Sequence, residues 1–191
     1  MLKTIIIFLL CGIVTLTAQE QATQEFHHQI GVAGSSMSGY GISYQAIFSD
    51  NYRVKLTGFC MSASASTTYD SDDFYLSAGI EGQKTLYKTE ATRLYGLLGV
   101  GFYKQGSYDY PPNYGFSSYS HTENTYSGGA GFGVELIAAG RISFNFDVGL
   151  AYSFSERKYY TNDGTPSPIT PIFRSEVGVG IAGGIGFGYR F

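Results

Sequence analysis

The sequence predicts an all-β protein, an eight-stranded antiparallel up-and-down transmembrane β-barrel. Three observations carry this. Eight segments alternate apolar residues with small or polar ones, the pattern of strands that have lipid on one face and a crowded interior on the other. Short and long joints alternate between them, as in barrels whose two ends differ. Charges within the segments fall almost entirely on the face opposite the apolar one.

Strands are expected near residues 26–34, 39–49, 52–62, 73–86, 93–104, 123–138, 141–155 and 175–191. The first three offer outward faces of Phe26, His28, Ile30 and Val32, then Tyr40, Ile42, Tyr44, Ala46 and Phe48, then Tyr52, Val54, Leu56 and Cys60. The fourth and fifth offer Phe74, Leu76, Ala78 and Ile80, then Leu94, Leu98, Val100 and Phe102. The sixth brings Tyr126, Ala130, Phe132, Val134 and Leu136. The seventh is the clearest run, with Ile142, Phe144, Phe146, Val148, Leu150, Tyr152 and Phe154. The eighth sets Val177, Val179, Ile181, Ile185, Phe187, Tyr189 and Phe191 against Gly, Ala and Arg. A tilted strand crosses the hydrocarbon in about 9 to 11 residues, which each segment nearly or fully supplies.

The joints at 49–51, 87–92 and 139–140 are short. Those at 62–72, 105–122 and 156–174 read as long loops rich in Ser, Tyr, Asn, Gly and Pro. The brief joint at 35–38 breaks the rhythm on the loop side. An even strand number puts both termini at the short-turn end.

Arg53, Lys55, Glu81, Arg93, Glu135, Asp147, Glu176 and Arg190 take the inward parity, and Lys84 is the visible exception, on the outward face where a strand-end lysine can snorkel. A soluble ligand-binding barrel reverses this arrangement. Arg53, Lys55, Glu81, Arg93, Glu135, Asp147 and Arg190 are therefore expected to form a lumen charge network. The four cations should lie near the turn end and the three carboxylates somewhat deeper. Eight strands leave an interior that side chains just fill, so a structural plug is expected, with a narrow gated path as the alternative.

Lys3, the apolar run from Ile5 to Leu16 and the small boundary at Ala18 read as a cleaved signal over residues 1–18, followed by a short segment at 19–25 and the barrel domain at 26–191. The whole chain carries 12 Lys and Arg against 15 Asp and Glu, a formal charge of −3, and losing Lys3 makes the remainder one unit more negative. That balance argues against a nucleic-acid partner. Cys11 leaves with the signal, so Cys60 has no partner for an intrachain disulfide and reads as a small apolar residue.

No catalytic, cofactor or metal site is expected. Ser118, Ser120, His121 and Glu123 place hydroxyl, imidazole and carboxylate close together, but in a stretch read as loop. His27 and His28 diverge on a strand and lack a third ligand. The glycines of 128–133 precede no helix and so are not a dinucleotide motif; they relieve crowding in the lumen. Tyr108, Tyr110, Tyr114 and Tyr119, interleaved with Pro111 and Pro112, make an aromatic loop surface suited either to an extracellular protein or glycan or to the interfacial belt.

Together, the eight alternating segments and the terminal Ile185, Phe187, Tyr189 and Phe191 resemble the small eight-stranded outer-membrane barrels, the OmpA-barrel, OmpX and OmpW-like kind of the porin-like family. The resemblance spans about residues 26–191. It implies residence in a Gram-negative outer membrane, contact with outer-membrane lipid and lipopolysaccharide, and recognition of the terminal aromatic pattern by the barrel-assembly machinery. It implies a non-enzymatic structural or surface-interaction role through the loops, with a narrow channel as the alternative and a lipid-modifying enzyme third.

Overall fold

A computed structural model describes residues 26–66, 70–110, 118–162 and 172–191. Eight strands run β1 (His28–Ser35), β2 (Gly39–Ile47), β3 (Tyr52–Ser66), β4 (Asp70–Lys88), β5 (Thr92–Tyr110), β6 (Ser118–Ala138), β7 (Ile142–Asn162) and β8 (Ile172–Arg190). Each pairs antiparallel with its sequence neighbour, and β8 returns to β1 to close the ring. The signal and short N-terminal segment expected at 1–25 lie outside the described residues.

The alternation that identifies the strands also sets their faces. Ile181 is 87% exposed on the outside, whereas Glu81, Tyr95 and Ser143 are completely buried inside. Outward Ile142, Phe144, Phe146 and Leu150 pair across β7 and β8 with Tyr189, Phe187, Ile185 and Ile181, giving a continuous apolar wall. Lys84 is exposed on the outer face.

Turns at one end are tight. Ala139 and Gly140 both have positive φ, 51° and 68°, and Arg141 N–H donates to Ala138 C=O at 3.2 Å. This is the backbone of a type I′ hairpin, whose twist matches that of the strands it joins. Ser49 Oγ accepts from the N–H groups of Asn51 and Tyr52 and so closes the β2–β3 turn.

The other end differs from the expectation. The stretches read as long loops at 62–72, 105–122 and 156–174 are largely strand, since β3 runs to Ser66, β5 to Tyr110 and β7 to Asn162. Pairing continues as far as Asp109↔Tyr119 and Ser118↔Asn162. Beyond the apolar wall polar residues occur on both parities of a strand, so alternation fades although the backbone ladder continues.

Strand lengths are uneven. β1 and β2 have 8 and 9 residues, whereas β6 and β7 each have 21. The β1–β8 ladder stops at Ser35↔Gly184 and the β2–β3 ladder at Ile42↔Gly58. Above those points β3 and β8 continue without a strand between them among the described residues. Ser36 finishes the seam, its Oγ bonding both the N–H and the C=O of Gly183 at 3.2 Å.

Candidate functional site

The lumen is filled in two layers. Nearest the tight turns, Glu135 sits among three arginines: Oε2 accepts from Arg53 Nη1 at 3.0 Å and Arg93 Nε at 2.7 Å, and Oε1 lies 2.7 Å from Arg190 Nη2. Arg93 is held further by Gln83 Oε1 at 2.5 Å and lies 4.1 Å over the ring of Tyr95. In the next layer Lys55 Nζ lies 2.8 Å from Glu81 and 3.8 Å from Asp147. Tyr95 Oη donates to Asp147 Oδ1 at 2.5 Å, and Gln83 Nε2 donates to Glu81 Oε1 at 2.7 Å, joining the layers.

All seven charges predicted for the lumen are buried there, but their depths differ from the expectation. Glu135 belongs to the arginine layer and Lys55 to the carboxylate layer. Register explains the exchange: Glu135 is the ladder partner of Arg93, and Lys55 that of Glu81. Stagger between strands offsets equal sequence distances from a turn. Glu176, on the inward parity of β8, lies in the open half and pairs with Arg157 at 3.5 Å.

Above the charges the lumen is closed by the β1–β2 turn, which the sequence reading missed. Met37 and Ser38 fold inward rather than extending the wall. Met37 is completely buried with Tyr95, Leu97 and Ala182. Ser38 Oγ donates to Glu81 Oε2 at 2.7 Å, and Tyr40 N–H donates to Ser77 Oγ at 3.0 Å. The facing strands are cut away to receive the turn. A Cβ on Gly79 would collide with the Ser38 carbonyl, and one on Gly129 with the Met37 side chain. Glycines at similar depth on β4, β5 and β6 were the available signal that something fills this level.

The inserted turn floors a cup of about 430 Å³ at the open end, lined by the hydroxyls of Ser35, Ser36, Thr125, Ser127, Ser153 and Ser155. The Tyr40 ring meets Tyr103 edge-on at 6.2 Å beside it. Glu123 pairs with Arg157 at 3.1 Å on the rim.

The remaining predicted residues are spread out. Ile185, Phe187, Tyr189 and Phe191 are exposed on the outer face at the turn end, with Phe187 against Phe144 at 5.1 Å and Phe191 against His28 at 5.8 Å. Tyr108 and Tyr110 end β5 and Tyr119 begins β6, so these three belong to strands rather than to a loop, while Tyr114 lies outside the described residues. The stretch of Ser118, Ser120, His121 and Glu123 is likewise strand, not loop. His121 stacks on Tyr159 at 5.0 Å and Glu123 turns to Arg157.

No family model matches the sequence, and no curated protein does. Among solved structures, the chain is similar to the attachment invasion locus protein Ail of Yersinia pestis. Identity is 20% over 86% of this chain and 96% of that one, with a TM-score of 0.41. It is also similar to a major outer membrane protein of Thermus thermophilus, at 12% identity over 86% of this chain and 99% of that one, with a TM-score of 0.46.

The protein's own geometry defines its class. A closed ring with an apolar exterior and every buried charge inside is a transmembrane β-barrel, because hydrocarbon accepts a sheet only when closure removes its edges. Within that class it is a small barrel of eight strands.

Proposed function

We propose that the protein resides in the outer membrane of a Gram-negative bacterium as a closed, non-enzymatic barrel that holds an external rim in place for structural or surface-interaction work. One observation carries this reading: the lumen is obstructed twice, by the charge layers and by the buried Met37–Ser38 turn, while six strands reach well past the seam. The tight turns then face the periplasm and the cup faces outward. A protein or glycan ligand would meet the rim formed by the ends of β5, β6 and β7. The terminal Phe187, Tyr189 and Phe191 are exposed on the outer face, where the assembly machinery would read them.

The test is planar-bilayer conductance of the refolded protein, alongside cell-surface binding of a variant with residues 105–122 replaced. Silence in the bilayer with loss of binding supports the rim. Discrete currents that change when Glu81, Glu135 and Asp147 are neutralised support a narrow channel. The cup, lined by Ser35, Ser36 and Gly39 on either side of the inserted turn, is the observation that favours this second reading.

A further inference from the structure

The lumen charges do not balance. Among the described residues, the buried cations are Arg53, Lys55, Arg93 and Arg190, whereas the buried carboxylates are Glu81, Glu135 and Asp147. The imbalance is sharper by layer, because the three arginines share Glu135 alone while Glu81 and Asp147 both face Lys55. A guanidinium cannot shed its proton in a protein, so this excess cannot be relieved by deprotonation. Leaving it uncompensated at 1–7% exposure is costly.

Unpartnered donors occur in the same layer. Arg53 Nε, Arg190 Nε and Ser143 Oγ are buried with no hydrogen-bond partner. Arg190 is the ladder partner of Gln29, whose side chain covers Gly188, the partner of Ser143. Such groups in a native protein call for a missing counterpart.

We propose that the arginine layer at the turn end binds one small monovalent inorganic anion of halide size, held by Arg53 and Arg190 and entering from the turn-end mouth. The near-complete burial of the surrounding side chains favours a small anion over a bulky one. The site depends on the lumen charges and not on any role of the rim.

The test uses the refolded protein in a phosphate-free non-ionic detergent, so that no lipid phosphate can supply the anion. Thermal midpoints are measured across a bromide series at constant ionic strength, with gluconate as the bulky replacement. The expected result is a rise of about 3 to 5 °C per tenfold increase in bromide above the dissociation constant. R53Q removes the excess charge, and Q29E supplies a fixed anion beside Arg190. Both should abolish the bromide dependence, whereas K84Q, which removes an outer-face cation, should keep it. A midpoint indifferent to bromide overturns the proposal, as does a dependence that survives in both lumen variants or disappears in K84Q. Should the lumen variants fail to fold, an anomalous bromide peak beside Arg53 and Arg190 in crystals of the unmodified protein supports the site, and its absence overturns it.

Discussion

The turn-end and open-end halves of this barrel are built from the same strands yet solve opposite problems. At the turn end the ring is complete, the outer face is apolar and the inner face is charged. Ions there are fixed by neighbours on three or four strands, because an unpaired charge in a dry lumen has nowhere else to go. At the open end the ladders of β3 and β8 lack one neighbour, and the inner face changes from charges to hydroxyls around a cup. The difference teaches that alternation alone does not distinguish a wall in lipid from a wall in water; the partners of the inward side chains do.

Carboxylate removal probes the contrast most strongly. E135A strands three buried arginines and should cost about 3 to 5 kcal/mol, read by urea unfolding in lipid vesicles. E123A, which leaves the half-exposed rim Arg157 with Glu176 as its partner, should cost less than about 1 kcal/mol in the same assay. Equal losses would erase the distinction between the halves.

The boundary between them is tested next. Gly79→Val drives a side chain into the Ser38 backbone, so overpacking should cost about 1 to 3 kcal/mol and push the turn out of the lumen. Bilayer recordings should then show currents absent from the parent. Continued silence would mean that the charge layers close the barrel without help from the turn.

The smallest effect belongs to the turn between β2 and β3. The hydrogen bond and charge of Lys88 hold the Asp50 carboxyl below its ordinary value. A lowered folded-state pKa gives stability that is present above the unfolded value near 3.9 and lost as pH falls through the lowered one. Both groups are well exposed, so solvent screens most of the effect. D50N should slightly narrow the gap in unfolding midpoint between pH 7 and pH 3, and a large narrowing would show that the tight turns contribute more than the lumen chemistry suggests.

The fold was legible wherever one strand face met lipid. Ile142 to Phe154 announces β7 residue by residue, and the inward parity of Arg53, Glu81 and Asp147 follows from the same alternation. Depth was not legible, because stagger between strands is a property of the closed ring: Glu135 and Lys55 exchange layers relative to their distance from a turn. The outer ends of β5, β6 and β7 escaped notice because polar residues on both parities leave no periodic signal. Met37 escaped because a joint of a few residues does not declare whether it extends a wall or folds inside one, although the glycines opposite were visible.

The brevity of β1 and β2 also affects the surrounding lipid. Membranes adapt to the local height of an apolar wall by thickening or thinning, at a fraction of a kcal/mol per Å. A flank of 8 and 9 residues gives this barrel a low side, whereas β6 and β7 run on past the apolar wall. Backbone groups bared above the low side disfavour dry hydrocarbon, so the leaflet should dip there. The protein thus carries a fixed bearing in its membrane.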